Sequence, residues 1–123
     1  MGARSLSGML SKTNRLTRKR DIEWVFKEGK GFKEGFLILK LGENNLKESR
    51  FGFIVSQKVS KRAIVRNKIK RRLREIVKMK FKKIKKGVDG LFIVCPGLGR
   101  KDFWETEETI EKLFKKAKVC NSL

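Results

Sequence analysis

The chain has 123 residues, of which 33 are lysine or arginine and 13 are acidic, so its formal net charge is +20 at pH 7. It contains no histidine, which excludes a Ser-His-Asp triad, a histidine general base and histidine-ligated metal sites. Hydrophobic residues make up 39% of the chain, enough for the core of one domain, but no apolar stretch approaches the roughly 20 residues of a membrane span.

The first half of the chain predicts a tail, a helix and two strands. Residues 1–13 carry no acid and no apolar run and are predicted to be a flexible basic tail. Residues 20–28 predict a short amphipathic helix that ends at Gly29. Residues 36–41 and 50–56 are rich in aliphatic and aromatic side chains and predict two strands, which we expect to pair antiparallel. An extra strand around Phe32 stays open.

The second half predicts a long helix, a strand and a last helix. Residues 60–82 contain no glycine or proline and predict a rod about 30 Å long. One face of that helix is apolar and consists of Val65, Ile69, Leu73, Ile76 and Val77. Residues 91–95 predict an apolar strand ended by Pro96, and residues 102–118 a helix whose acids precede its lysines, as the macrodipole favours. The strand-helix-strand unit would by the general rule be a right-handed crossover.

The long helix carries most of the charge. Residues 57–86 contain 15 basic residues and a single acid, Glu75. The side opposite the apolar face carries Asn67, Lys70, Arg71, Arg74 and Lys78, with Arg66 at its flank. A merely solvated helix usually mixes charges at i,i+4 positions, whereas this one repels itself, so we expect a polyanion to supply the counter-charge. Arginine can grip two phosphate oxygens or stack on a base, which favours nucleic acid.

Three other interpretations of this face stay open. They are a solvated basic face, a calmodulin-target-like helix and a helix bound to an anionic membrane surface. The last two usually have a bulkier apolar face with aromatics, whereas this face is aliphatic.

Four segments in the same order resemble the bacterial ribonuclease P protein family. Residues 60–77 read SKRAIVRNKIKRRLREIV, in which Arg66-Asn67-Lys68 stands where the family usually has Arg-Asn-Arg. Lys70, Arg71 and Arg74 continue that motif. The other segments are Asn14-Arg15-Leu16 with Val25-Phe26-Lys27-x-Gly29, RFGFIVS at residues 50–56, and residues 91–116. The resemblance covers about residues 14–117.

The resemblance implies an α+β fold, a single-domain α-β sandwich of the ribosomal protein S5 domain 2-like type. Its element order is αβββαβα, with a left-handed βαβ crossover against the general rule. Residues 14–118 would form this RNA-binding domain and residues 119–123 a C-terminal tail. The implied function is that of a cytoplasmic ribonucleoprotein subunit. A large RNA would catalyse Mg²⁺-dependent removal of the 5′ leader of precursor tRNA, and Mg²⁺ would be bound mainly by that RNA.

The family's site residues carry over by position. The residues that would contact ribonuclease P RNA are Lys58, Lys61, Arg62, Arg66, Asn67, Lys68, Lys70, Arg71 and Arg74. The leader-binding cleft, between the first helix and a sheet face, would contain Ile22, Phe26, Lys40 and Phe53. An aromatic side chain in a basic groove is a usual platform for a single strand, and the alternative for Phe26 is an ordinary core residue. We predict no catalytic or metal-ligating residue in the protein, no membrane association and no obligate protein partner.

A structural RNA-binding protein of ribosomal type is the competing hypothesis, and a protein-only nuclease is a third. The first two both predict a basic surface and salt-sensitive binding, so charge does not separate them. The first hypothesis alone predicts that the protein stimulates cleavage of precursor tRNA by a ribonuclease P RNA.

Overall fold

Three helices and four strands follow one another in the predicted order. The structure is a computed structural model and describes residues 12–98 and 101–119. The elements are a 3-10 turn (Lys12–Asn14), α1 (Lys19–Glu28), β1 (Lys30–Glu34), β2 (Leu37–Glu43), β3 (Arg50–Ile54), α2 (Ala63–Lys80), a second 3-10 turn (Phe81–Lys83), β4 (Val88–Val94) and α3 (Phe103–Ala117). This confirms the αβββαβα order, and the strand around Phe32 is present as β1.

β4 is one of the two interior strands of the sheet, whose strand order is β1-β2-β4-β3. β2 pairs antiparallel with β4, from Leu37 opposite Val94 to Glu43 opposite Val88, whereas β3 runs parallel to β4. The prediction that β2 and β3 pair with each other is therefore wrong. β4 is buried along nearly its whole length, and such a strand takes a central position where both of its faces are covered. The left-handed sense of the β3-α2-β4 crossover stays a prediction.

One face of the sheet packs against α2 and α3. The strands contribute Leu37, Leu39, Phe51, Phe92 and Val94 to this core, and the helices contribute Ile69, Leu73, Ile76, Val77, Ile110, Leu113 and Phe114. The predicted apolar face of α2 is confirmed, with Val65 packed half-buried at its rim. Each fully buried aliphatic or aromatic side chain stabilises the fold by about 1.5–3 kcal/mol, so α2 is anchored strongly by this side.

The other face of the sheet is covered only in part, by α1 and the segment before it. Leu16, Val25 and Leu91 form a small second core, with Ile22, Ile54 and Ile93 partly buried around it. Leu16 donates its backbone N–H to the Phe51 carbonyl (2.9 Å), so the segment before α1 lies along the outer edge of β3. Because this core is small, part of the sheet beside α1 stays open.

The predicted tails lie mostly outside the described residues. Asn14 donates to the Ser49 carbonyl (3.0 Å), which ties the first 3-10 turn to the start of β3. Val119 is buried, donates its amide to the Phe114 carbonyl and accepts from the Lys85 amide. Val119 therefore packs with the domain, next to the predicted boundary at residue 118, and the domain bounds stay a prediction. Residues 1–11 and 120–123 are not among those described.

A charged cluster ties α1 to the sheet. Arg50 donates two hydrogen bonds to Asp89, from Nε to Oδ1 (2.9 Å) and from Nη2 to Oδ2 (2.6 Å). Its Nη1 lies 3.4 Å from Oδ2 of Asp21 in the first turn of α1. The bonds to Asp89 raise the pKa of Arg50 above its ordinary value, more than burial lowers it. Asn44 donates to the same Asp89 carboxylate (2.8 Å), so four segments meet at one buried acid.

A second charged cluster joins α2 to α3. Lys80 lies 3.1 Å from a carboxylate oxygen of Glu107 and 2.9 Å from one of Glu111. Burial lowers the pKa of Lys80, but its hydrogen bonds with Glu111 and Glu107 outweigh burial and raise it overall. The hydrogen bond from Lys80 in turn lowers the pKa of Glu111. Lys80 is thus a structural cation, unlike the bases on the outer side of α2.

We predict that Lys80→Met lowers the free energy of unfolding by about 1–2 kcal/mol at neutral pH, because two partly buried carboxylates lose their shared cation. The folded-state pKa of Glu111 lies below its ordinary value of 4.5. The contribution of the pair is therefore present above that pH and is lost as the pH falls through the folded-state pKa. Urea denaturation at neutral and acidic pH should show the difference between wild type and variant shrinking in acid.

The control for this prediction is Lys112→Met, which removes the cation of an exposed pair with Glu108. Exposed pairs contribute little, so this variant should remain close to wild type. Equal destabilisation by the two substitutions would contradict the structural role of Lys80.

Candidate nucleic-acid interface

The outer side of α2 and the loop before it form a continuous basic surface. All nine predicted RNA-binding residues lie on it: Lys58, Lys61, Arg62, Asn67, Lys68 and Arg71 are exposed, and Arg66, Lys70 and Arg74 are partly exposed. None of these bases forms an ion pair with a carboxylate of the described residues. The charge of these bases is therefore not neutralised within the described part of the chain, which favours a polyanionic ligand.

Hydrogen bonds hold the loop before α2 in place. The Arg66 Nη1 donates to the Ser60 carbonyl (2.9 Å), and the Ser60 hydroxyl accepts from the Arg62 amide (3.2 Å). The Ser56 hydroxyl accepts from the Lys58 amide (3.3 Å) in the same way. These local turns fix the path of the backbone into the helix, so Arg66 positions the loop as well as contributing charge.

Three arginines come together where α2 passes the outer edge of β3. The guanidinium of Arg74 lies 6.0 Å from the ring centre of Phe53. Burial lowers the pKa of Arg74, and the charges of Arg15 and Arg71 lower it further. A phosphate bound here would relieve this repulsion. Arg15 is absent from the predicted site because it lies in an irregular segment, and only its pairing with β3 brings it next to α2.

The open part of the sheet beside α1 forms a cleft that contains three of the four predicted leader-binding residues. The Phe26 side chain is 49% exposed. The Lys40 ammonium lies 5.1 Å from the Phe26 ring centre and donates to the Phe26 carbonyl (2.8 Å). Ile22 is partly buried against the second core, beside Ile54 and Ile93. Ile54 on β3 and Ile93 on β4 form the apolar floor of the cleft, and the sequence prediction did not include them.

Phe53 lies on the opposite face of the sheet from this cleft. Its ring stacks on Phe92 at 5.6 Å and packs against the core shared with α2 and α3. The structure therefore does not bring Phe53 together with Ile22, Phe26 and Lys40, which corrects its predicted placement. The reason is strand alternation, since Phe53 points to the same side as the buried Phe51.

The described part of the chain lacks the features of two other kinds of site. No group of three or more cysteine, aspartate or glutamate side chains is placed to share a metal ion there. No helix of the described residues is long and apolar enough to cross a lipid bilayer.

A basic α+β domain with an unneutralised cationic helix on one side of its sheet, and an aromatic-basic cleft on the other, is an RNA-binding protein. The family model described as Ribonuclease P matches residues 10–118. The chain belongs to this family, the protein component of the endoribonuclease that processes the 5′ ends of tRNA, and so has an RNA partner in a ribonucleoprotein. This supports the first hypothesis drawn from the sequence and not the ribosomal alternative.

Individual relatives agree with the family match. The ribonuclease P protein component of Synechocystis sp. is 38% identical over 114 residues, which cover 91% of each chain. That of Syntrophomonas wolfei is 37% identical over 109 residues, or 89% of this chain and 91% of the relative.

Solved structures show the same fold. The RNase P protein of Staphylococcus aureus aligns with a TM-score of 0.81 at 27% identity, covering 89% of this chain and 100% of that one. The RNase P protein of Thermotoga maritima aligns with a TM-score of 0.76 at 35% identity, covering 83% and 96%. The single-domain α+β architecture is therefore shared along nearly the whole length of these proteins.

We predict that Arg71→Gln raises the free energy of unfolding of the free protein by a few tenths of a kcal/mol at low salt, because it removes one member of the arginine cluster. Added salt should abolish the difference, since it screens the repulsion in wild type. Chemical denaturation at two ionic strengths measures both effects. A loss of stability at low salt would show that Arg71 makes a favourable contact within the free protein.

Proposed function

We propose that the outer side of α2 binds the catalytic RNA of ribonuclease P, while the cleft beside α1 binds the 5′ leader of precursor tRNA. The observation that carries the first assignment is a set of bases on α2 that form no ion pair with a carboxylate of the described residues: Arg66, Lys68, Lys70, Arg71 and Arg74. A large structured RNA presents closely spaced phosphates, which a rigid helix can contact along its length. Arg15 extends this surface past the edge of β3.

The second assignment rests on the chemistry of the cleft. A 5′ leader is single-stranded, so its bases are free to stack and its phosphates need cations. Phe26 offers a half-exposed ring, and Lys40 holds a positive charge beside it. Of the three predicted leader-binding residues in this cleft, Phe26 is aromatic, whereas Ile22 and Lys40 are not. One base would therefore stack there, and neighbouring nucleotides would be bound mainly by charge and by the apolar floor.

The proposed role of the protein is to bind and position RNA, with Mg²⁺ held mainly by the RNA subunit. Two pairs of carboxylates that share a cation do not fit a magnesium site. Asp21 and Asp89 share Arg50, and Glu107 and Glu111 share Lys80. An ammonium or guanidinium group occupies the space between each pair, where it would repel a metal ion. The proposal places the complex in the cytoplasm.

Adding the full-length protein to a bacterial ribonuclease P RNA should allow cleavage of precursor tRNA at a Mg²⁺ concentration at which the RNA alone is inactive. The physical reason is that cations on the protein replace part of the screening otherwise supplied by the metal. Gel analysis of the released leader measures the rate. A lack of stimulation over a range of Mg²⁺ concentrations would overturn the proposed function, and cleavage by the protein without RNA would favour the protein-only nuclease.

Arg66→Ala and Arg71→Ala should each weaken binding to ribonuclease P RNA by about tenfold, the effect of losing one charge-assisted contact. Each should also make the slope of log K against log salt less negative by about 0.7–0.9. Filter binding at several salt concentrations gives both numbers. Lys112→Ala on α3 is the charge-matched control, and an equal loss in this variant would mean that only net charge matters.

Phe26→Ala should weaken binding of precursor tRNA to the reconstituted enzyme by about tenfold, since one stacked base is worth about 1–3 kcal/mol. Binding of mature tRNA, which has no leader, should not change. Trp104→Ala removes a more exposed aromatic from α3, outside the cleft, and should affect neither ligand. Equal losses for precursor and mature tRNA in Phe26→Ala would remove Phe26 from the leader site.

A further inference from the structure

A groove lies at the end of the molecule where the β1–β2 edge of the sheet meets the end of α3, with a volume of about 330 Å³. Its apolar lining consists of Phe32, Leu41, Val88, Ala117 and Val119. Its charged lining consists of four lysines, Lys30, Lys85, Lys116 and Lys118, and one acid, Glu43. No residue of the predicted RNA surface on α2 and none of the cleft beside α1 lines it, so this is a separate cationic site.

The four lysines differ in whether they already pair with a carboxylate. The Lys116 ammonium pairs with Glu34 (2.7 Å) and donates to the Lys33 carbonyl (2.9 Å), so it lines the groove with a charge that is already neutralised. Lys30, Lys85 and Lys118 form no ion pair with a carboxylate of the described residues. Three cations therefore outweigh Glu43 at this rim.

Backbone contacts bring the lysines from distant segments to the same rim. The Lys85 amide donates to the Val119 carbonyl (2.6 Å), which joins the segment after α2 to the segment after α3. On the opposite wall the Lys30 ammonium lies 5.7 Å from the ring centre of Phe32. The groove thus has two cations on one side and a cation beside an aromatic ring on the other.

Lys118 has an unusual backbone conformation for its residue type. It ends α3 in the left-handed region, with φ 56° and ψ 41°, where its amide donates to the Lys115 and Phe114 carbonyls. Glycine is the usual residue at such a helix end, and a residue with a side chain is less stable there by about 1 kcal/mol. Lysine at position 118 therefore makes the helix end less stable than glycine would, but it places a positive charge at the rim of the groove.

We propose that this groove binds a nucleotide, with the phosphate between Lys85 and Lys118 and the base against Phe32. Three cations match a phosphate, which carries about two negative charges in a free mononucleotide and one at each linkage of an RNA strand. An aromatic ring on an apolar floor matches a base. The volume suits a small ligand of one nucleotide. The nucleotide could be free or part of single-stranded RNA. In the second case the groove adds a contact to the proposed function, although binding of a free nucleotide does not depend on that function.

Backbone amide NMR on the full chain, titrated with adenosine 5′-monophosphate, tests the site. We expect saturable shifts at Gly31, Phe32 and Val119, and an affinity at least about tenfold above that of inorganic phosphate, since base stacking contributes about 1–3 kcal/mol. A pentaadenylate that binds more tightly than the mononucleotide at the same amides identifies RNA as the source. Weaker binding of pentaadenylate identifies a free nucleotide. Shifts confined to α2 and the α1 cleft, or equal affinity for inorganic phosphate, would overturn the proposal.

Lys118→Gly is the most informative variant, because glycine suits the left-handed conformation and the fold should be at least as stable as wild type. Loss of one rim cation should weaken adenosine 5′-monophosphate binding by about fivefold. Phe32→Leu should weaken binding of the mononucleotide but not of inorganic phosphate. Lys112→Ala, on α3 but outside the groove, is the charge-matched control and should bind as wild type does.

Unchanged affinity in Lys118→Gly, with the fold verified by its amide spectrum, would overturn the assignment. The reconstituted cleavage assay separates this result from the proposed function. If the groove does not bind nucleotide, stimulation of the catalytic RNA by wild type should still be seen. If stimulation fails, the titration with free nucleotide still shows whether the groove binds a nucleotide.

Discussion

The bases on the outer side of α2 can lie next to one another because the opposite side of the same helix is buried. Ile69, Leu73, Ile76 and Val77 are almost completely shielded from solvent. Each contributes about 1.5–3 kcal/mol, whereas a pair of like charges one turn apart costs only a few tenths of a kcal/mol. Packing therefore outweighs repulsion by a wide margin. The helix keeps its charge available to a ligand without losing its place in the fold.

The sheet separates two binding surfaces that differ in chemistry. On the α2 side, closely spaced arginines and lysines present charge, with the exposed Ile64 in the first turn of the helix. On the α1 side, a half-exposed ring, a lysine and two isoleucines form a cleft of mixed character. Arg50, which is paired with the buried Asp89, also contacts Asp21 and so ties one end of α1 to the sheet. The other end of α1, near Phe26, lies beside the cleft. Separate surfaces would allow one small domain to hold the two RNA segments of the proposed function at once.

Local signals in the sequence were sufficient for the elements and for the basic helix, because helical periodicity and the absence of glycine are properties of adjacent residues. Strand order depends on long-range pairing, so local patterns do not show which strands flank β4, although its continuous apolar run is typical of a central strand. The face of the sheet to which Phe53 points could have been inferred from the alternation of side chains along a strand, since Phe53 is two residues from the core residue Phe51. The same rule places Ile54 toward the cleft. The position of Arg15 could not be found this way, because an irregular segment has no period.

The composition of β1 has a consequence for the protein before it meets its RNA. β1 is one of the two edge strands of the sheet in the described part of the chain, and an exposed edge can recruit strands from other copies. Its sequence, KGFKE, is short, charged and interrupted by glycine. A second copy approaching this edge would meet lysines of its own sign. The same positive charge that attracts RNA elsewhere on the domain thus opposes self-aggregation of newly made chains.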